Sequence, residues 1–450
     1  MKKPLSLLAA LVLSCTLFAQ DYNVTFSAYA IGTPTDVVDS VQIENITQQK
    51  AITVNGDDTL HLVDVVQNID QHDKANKLSV YPNPANGYAM VKFRADAQAD
   101  AQLSVYDMAG REIIAQAVSA SAGVNTYRLS GLGRGTYVLS VKTGSYSWSE
   151  TLNVTGNDAA NVQLEQLSGS NTNIISQQKS QKSGTRIDWQ YDENDVLLFT
   201  AWGEGYSRIY VYKITTDYHL TVPFVACVDA EGNKYTVVEI GGTIWMAENL
   251  KSTKYNNNVP IPNLADTATW NNDTLGARCY YLNDSATFAE NYGPLYNYAA
   301  VNTGNLCPNG WHVPENTDYQ NLLIFLQNNG YNYDGTTDSD SDHITNNKVA
   351  KALSANYSFV FSDSTGTPGN DDYPSYRNRS GFSALGAGTR ITTNNTYPFP
   401  MTLSRTASFW TATEQNEDYA YRLDIFFINV DARVVFSRKG GGYSVRCIKD

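Results

Sequence analysis

The sequence has 450 residues and a formal net charge of −13. A nucleic-acid partner is therefore not expected, because phosphates are neutralised by basic patches that an acidic chain lacks. Beyond the N-terminal twenty residues, no apolar run reaches the roughly 18–20 residues that a transmembrane helix needs. The length predicts about three domains.

The N-terminus has the pattern of a secretory signal peptide. Lys2 and Lys3 precede an apolar stretch at residues 5–19, which is too short to span a bilayer comfortably. Cleavage after Ala19 removes residues 1–19 and predicts an exported chain. Cys15 offers an alternative as a lipid-attachment cysteine, although the Val-Leu-Ser before it fits a lipobox poorly.

Short alternating segments flank a central region and predict strands. They lie at residues 23–30, 37–46, 51–54 and 59–66 before it, and at 195–200, 207–213 and 219–226 after it. The early and late strands are expected to form one β-sandwich, from residues 20–70 and 185–223, around an inserted module. Residues 156–184 are rich in Asn, Ser, Gln and Lys, which predicts a polar loop or linker.

The inserted segment at residues 76–154 is predicted to be a separate small β-sandwich. Its Y-P-N-P at residues 81–84, V-Y-D-M-A-G-R at 105–111 and G-T-Y at 135–137 resemble the C-terminal sorting domain of the type IX secretion system. The resemblance implies export to the outer-membrane surface or extracellular space of a Gram-negative bacterium. Because the chain runs on to residue 450, a β-sandwich spacer stays an alternative to a sorting role.

The C-terminal half carries aromatic, Gly and Cys residues in a recognisable order. The strings are T-I-W-M-A-E-N-L at 243–250, G-P-L-Y-N-Y at 293–298, C-P-N-G-W-H-V-P at 307–314, F-W-T-A-T-E at 409–414 and S-V-R-C at 444–447. Together they resemble the Fibrobacter succinogenes major paralogous domain over residues 224–450.

That resemblance implies an α+β module with a C-type-lectin-like fold, related to the formylglycine-generating-enzyme-like fold. Residues 317–328 agree, since their spacing predicts a helix with an apolar face of Tyr319, Leu322, Leu323 and Leu326. The fold class is therefore multidomain, with N-terminal all-β sandwiches and a C-terminal α+β C-type-lectin-like module.

Four cysteines remain once the signal is removed: Cys227, Cys279, Cys307 and Cys447. An even count in an exported chain indicates disulfides. The family resemblance implies that the strings around Cys307 and Cys447 meet in the core, so these two are expected to pair. Cys227 and Cys279 either pair, which is slightly favoured, or remain buried thiols. A metal site is the weaker explanation, because the chain has no C-x-x-C and no ligand-spaced histidines.

Aromatic residues are the main ligand-binding candidates. The tryptophans of the family strings, at positions 245, 311 and 410, are expected in the core, because large aromatics bury most area. Trp270 lies in a polar stretch and is expected to be exposed. Tyr331 and Tyr333 lie in a loop rich in Gly, Asn and Asp and are similar candidates.

Asp338, Asp340 and Asp342 alternate with serines as at the start of a calcium loop. An EF-hand is rejected, because its Gly at position six is His343 here and its Glu at position twelve is Val349. A looser Ca²⁺ site is the alternative to a solvated acidic loop. No other cofactor is expected.

These features favour a non-catalytic surface binding protein that recognises glycans or other surface ligands. A structural or adhesive component is one alternative. An enzyme of the formylglycine-generating type is another, but its chemistry depends on reactive cysteines and a metal, and no catalytic residue is identified. The Glu-Pro-Asn and Gln-Pro-Asp sugar motifs of animal lectins are absent from the sequence.

The signal peptide gives a direct prediction. N-terminal sequencing and intact mass of exported protein are expected to place the mature start at Gln20, because cleavage follows Ala19. A lipid-modified start at Cys15 would instead establish a lipoprotein, and a retained Met1 would contradict export by this route.

Overall fold

The computed structural model of the chain describes residues 21–29, 32–64, 78–86, 88–95, 99–108, 110–120, 123–143, 146–155, 162–166, 184–337, 346–391, 398–400 and 402–450. The signal segment at 1–19, most of the linker at 156–184 and the three candidate calcium ligands Asp338, Asp340 and Asp342 lie outside these ranges. Within them, no helix is long and apolar enough to cross a membrane.

The described elements are mostly strands. In chain order the first are β1 (Tyr22–Ala28), β2 (Ser40–Asn45), β3 (Lys50–Asn55), β4 (Thr59–Asp64), β5 (Ser79–Asn86), β6 (Tyr88–Ala95), β7 (Ala99–Asp107), β8 (Glu112–Ala120), β9 (Gly123–Ser130), β10 (Gly135–Thr143), β11 (Tyr146–Val154), β12 (Gln163–Gln166), β13 (Arg186–Tyr191), β14 (Leu197–Gly203), β15 (Tyr206–Tyr212) and β16 (Tyr218–Val222). The later strands are β17 (Val237–Ile240), β18 (Thr243–Met246), β19 (Arg278–Cys279), β20 (Leu295–Tyr296), β21 (Trp311–His312), β22 (Thr406–Glu414), β23 (Tyr419–Phe426), β24 (Ala432–Arg438) and β25 (Ile448–Lys449). The helices are α1 (Thr267–Asn271), α2 (Ser285–Tyr292), α3 (Tyr298–Val301), α4 (Asn316–Asn328) and α5 (Ala350–Leu353), with 3-10 turns at Tyr281–Asn283 and Pro374–Tyr376.

Strands from both ends of the N-terminal half build the first sandwich. One sheet has the order β13-β4-β1-β16, and β2 pairs with both β3 and β14 in the other. Phe26 lies opposite Leu220, and Val41 lies opposite Ala201, so early strands pair with late ones in both sheets. Side chains from the two sheets share one buried core. This is the arrangement expected of a sandwich interrupted by an insertion.

The inserted segment forms its own sandwich from β5 to β12. Its strands follow the order β12-β9-β6-β5-β11-β10-β7-β8, and the pair Val154 and Ala85 joins the two four-stranded halves. Inward-facing residues of both halves, such as Val91 and Leu139, are fully buried in a single cluster. Period-two alternation therefore produces a closed core here, as the sequence predicts.

The C-terminal module continues the second sheet of the first sandwich. β17 pairs in parallel with β15, and the sheet extends through β18 and β25 to β21. A common core joins Leu198 and Ile209 of the sandwich to Trp245 and Leu323 of the module. The two units thus share a sheet and a core across the expected division at residue 224.

Helix α4 packs inside this module against the β22-β23-β24 sheet. Tyr319, Leu322, Leu323 and Leu326 are all buried, which confirms the predicted apolar face. The helix is the longest described, at 13 residues, so the module is strand-rich with short helices. Its likeness to the C-type-lectin-like fold stays a prediction.

A buried polar junction connects the inserted sandwich to its neighbours. The Lys92 ammonium on β6 donates to the carbonyl oxygen of Asn356 at 3.1 Å, and the Asn356 amide donates to the Glu44 carboxylate on β2 at 2.9 Å. Burial, reinforced by the charge of Arg377, lowers the pKa of Lys92 to about 8, while Asp371 and Glu44 act in the opposite direction. The inserted sandwich, the first sandwich and the C-terminal module therefore meet at the buried Lys92 side chain.

The Lys92 pKa predicts a specific pH dependence of stability. Between about pH 8 and pH 10.5 the unfolded chain retains a proton on Lys92 that the folded chain has released, so the free energy of unfolding rises with pH. In urea unfolding, the Lys92 contribution should raise the free energy of unfolding of wild type by on the order of 1–3 kcal/mol across this window. Lys92→Met should lack this increase. Lys142→Met, at an exposed lysine of the same sandwich, is the control. Equal pH slopes in wild type and Lys92→Met would contradict the assignment.

Candidate functional site

The cysteines are arranged as one disulfide and two separate thiols. Cys307 and Cys447 are bonded, with their Cα atoms 6.0 Å apart, which confirms the predicted staple. Cys227 and Cys279 are both free and buried, so the slightly favoured pairing of these two is wrong. The physical reason is that Cys227 packs in the core around the disulfide, whereas Cys279 packs in a different cluster with Trp270.

The two free thiols are poorly suited to nucleophilic chemistry. Burial raises the pKa of Cys279 to about 11 and raises that of Cys227 further. Both therefore stay protonated near neutral pH, whereas a reactive cysteine needs a thiolate. Across the described ranges, no group of three or more His, Cys, Asp or Glu side chains is placed to hold a metal ion.

The four tryptophans of the C-terminal module are buried. Trp245, Trp311 and Trp410 are buried, as predicted, and the Trp410 indole donates to the Tyr296 carbonyl at 2.8 Å. Trp270 is also fully buried, so its expected exposure is wrong.

The polar neighbours of Trp270 misled the sequence reasoning. Asp266 caps the short helix α1, and Trp270 is the residue of that helix that turns into the core. Its indole N–H donates to the Gly440 carbonyl at 2.7 Å, so the ring needs no water for its one polar atom. Trp270 is removed from the ligand-binding candidates.

Tyr331 and Tyr333 lie instead at a shared aromatic surface. The ring of Tyr333 meets that of Tyr373 edge-on, with centroids 5.0 Å apart. The guanidinium carbon of Arg379 lies 4.7 Å from the ring centre of Tyr376 and 5.7 Å from that of Tyr331. Tyr373 is exposed, and the other four residues are partly exposed. We call these five residues the tyrosine–arginine surface.

The first loop of this surface is held by the end of helix α4. Gly330 takes a left-handed φ of 76°, and the Tyr331 N–H then donates to the Leu326 carbonyl, which closes the helix end. The buried Asn332 side chain donates to the Thr336 carbonyl at 2.8 Å, so the loop is tied internally just after Tyr331. Both tyrosines are therefore presented by an anchored turn.

The second loop is anchored by a buried lysine. The Lys351 side chain, with no exposed area, donates to the Asp372 carboxylate at 2.8 Å, and the same carboxylate accepts from the Gly366 N–H. Arg377 pairs with Asp371 at 3.0 Å on the other side of the turn. These contacts hold the backbone on both sides of Tyr373.

Tyr373 itself has an unfavourable backbone. Its φ of 47° and ψ of 54° lie in the left-handed region, which costs a non-glycine residue roughly 1–2 kcal/mol. Its side chain is nonetheless 42% exposed, so burial of the ring does not repay that cost. Strained residues of this kind cluster at binding and active sites.

Sequence reasoning missed three members of this surface. Tyr373, Tyr376 and Arg379 fall in the string Y-P-S-Y-R-N-R at residues 373–379, which follows two aspartates. The density of Tyr and Arg in a polar loop was an available signal. The approach of this loop to Tyr331 and Tyr333 depends on tertiary contacts and has no local signature.

Comparison with known families identifies two parts of the chain. Residues 79–155 match the secretion system C-terminal sorting domain, and residues 238–449 match the Fibrobacter succinogenes major domain. These spans fall within the inserted sandwich and the C-terminal module. The protein is thus a multidomain, β-rich protein exported through type IX secretion to the cell surface or extracellular space. Its C-terminal module is similar to the Fibrobacter succinogenes major domain family over residues 238–449. No curated protein matches the chain.

The cysteine arrangement predicts the outcome of alkylation. Native, unreduced protein should take up no iodoacetamide at Cys227 or Cys279, because both thiols are buried and protonated. After unfolding without reductant, both should be alkylated, and Cys307 and Cys447 should be recovered as one linked peptide. Alkylation of Cys307 in the native protein would remove the staple and support the enzyme alternative.

Proposed function

We propose that this exported protein is a non-catalytic binding protein that recognises a surface glycan through the tyrosine–arginine surface. The supporting observation is the convergence of four tyrosines and an arginine from two anchored loops. Tyrosine rings supply a flat apolar face and a hydroxyl at little cost in side-chain entropy. Such a combination suits a sugar ring, which has both C–H faces and hydroxyl edges.

The frame behind the surface supports the same proposal. Binding loops work best on a rigid scaffold, because ordering them on binding then costs little. Helix α4 and the buried Lys351 provide that scaffold, since neither loop has to be ordered by the ligand. The contacts of Asp372 and Arg377 hold the strained Tyr373 backbone in place without a ligand.

A non-catalytic role fits the cysteines better than the formylglycine-generating alternative does. That chemistry depends on a reactive thiolate, whereas Cys307 and Cys447 are bonded and the other two thiols have raised pKa values.

The proposal predicts a glycan-array result. The full mature chain is the proper probe, because the C-terminal module shares its sheet and core with the first sandwich. Wild type should bind a defined subset of glycans, and Tyr373→Ala should weaken that binding on the order of 10-fold, the loss typical of a central interface aromatic.

Tyr29→Ala is the matched control, since Tyr29 is also exposed but lies in the first sandwich. It should bind as wild type does. Thermal melting separates a binding defect from unfolding, and Tyr373→Ala should melt no lower than wild type. Absence of glycan binding by wild type, or unchanged binding by Tyr373→Ala, would contradict the proposal.

A further inference from the structure

The Arg379 guanidinium is held between two rings and has no acceptor among the residues that the structure describes. It lies over the rings of Tyr376 and Tyr331, and its side chain makes no hydrogen bond or ion pair with any residue in the described part of the chain. The Arg379 backbone N–H donates weakly to the Tyr376 carbonyl, which positions the main chain and leaves the guanidinium available. A guanidinium that stacks on an aromatic ring can still donate its N–H groups to a carboxylate.

The neighbouring acids are already neutralised by other cations. Asp334 pairs with Lys348 at 2.6 Å, and Asp372 pairs with Lys351 at 2.8 Å. Asp371 pairs with Arg377. Among the described residues of this cluster, Arg379 is therefore the cation whose charge is available to an external partner.

Other arginines of the module show the contrast. The Arg422 guanidinium stacks on Tyr443 but also forms a two-point contact with the Asp424 carboxylate, at 2.7 and 2.6 Å. Arg446 is fully buried and donates to the Ser383 carbonyl at 2.7 Å. In both cases stacking accompanies satisfied donors. Among the described residues, Arg379 has the stacking without the acceptor, as do Arg405 and Arg438. Of these three, Arg379 is the one that lies over two tyrosine rings, so a ligand carboxylate bound there would also meet the aromatic surface.

We propose that the ligand is an acidic saccharide whose carboxylate is bound by Arg379. This inference rests on the proposed function, since it assigns a ligand class to the same surface. A guanidinium and a carboxylate form two parallel charge-assisted hydrogen bonds, which fix orientation as well as add affinity. The ring bearing that carboxylate then lies over the tyrosines beside it, Tyr376 and Tyr331, with Tyr333 and Tyr373 further along the surface.

The overall charge of the chain refines the ligand class. A net charge of −13 repels anions at long range, but exposed charges more than about 8 Å away are largely screened at physiological ionic strength. A single carboxylate in contact with Arg379 experiences the local cation. A densely sulfated or phosphorylated polymer carries further anions, for which the described residues of this surface offer no second unpaired cation. The site therefore selects isolated carboxylates, as in hexuronic-acid residues.

The test compares a uronic-acid glycan with its carboxyl-reduced, neutral counterpart on the full mature chain. Wild type should bind the acidic form at least 10-fold more tightly. Arg379→Gln should bind both forms equally, at the level of the neutral one. Arg379→Lys should recover only part of the preference, because an ammonium lacks the two-point geometry.

Arg438→Gln is the matched control, because Arg438 is exposed and also stacks on a tyrosine, Tyr419, but lies on the separate strand β24. It should keep the full preference for the acidic form. If wild type binds both forms equally and Tyr373→Ala still weakens binding, the acidic-ligand inference is overturned while the binding role stands. If wild type binds neither these nor any arrayed glycan, both proposals fail. A preference for a sulfated polymer over the uronic-acid glycan also overturns the inference.

Discussion

The parallel pairing of β15 with β17 is the contact on which the rest of the molecule depends. Arg208 lies opposite Val237 and Ile209 opposite Val238, and this short ladder carries one sheet from the first sandwich into the C-terminal module. Behind it, Ile209 and Trp245 enter a core that also contains Leu323 of helix α4. The end of that helix presents Tyr331. The placement of the tyrosine–arginine surface is thus tied, by continuous packing, to the N-terminal sandwich.

Much of the fold could be predicted from local patterns, because period-two alternation and helical spacing both depend only on which residues face a core. β1 alternates Tyr22, Val24 and Phe26 inward, and helix α4 buries the predicted side chains. The Cys307–Cys447 bond is predicted by the family resemblance. Its two positions are 140 residues apart, and four cysteines allow three connectivities that spacing alone does not distinguish.

The features that local patterns do not predict depend on tertiary packing. Trp270 has polar neighbours and yet is buried, because a one-turn helix exposes three sides and buries the fourth. Cys227 and Cys279 are buried in two different apolar clusters, so they do not meet to form a disulfide. Tyr331 and Tyr333 were identified by composition. Their contact with Tyr373 and Arg379 arises because Lys351 and Asn332 anchor two loops that are distant in sequence.

The insertion within the first sandwich has a consequence for the order of folding. β1 lies beside β16, and the side chains that hydrogen-bond across this pair are 194 residues apart in sequence. The inserted sandwich instead closes its core from strands that follow one another closely. Contacts of low sequence separation form faster, because less chain entropy is lost before they are made. During synthesis, the inserted sandwich is therefore the first part able to fold. The N-terminal strands can complete their sheets only after β13 to β16 have been synthesised.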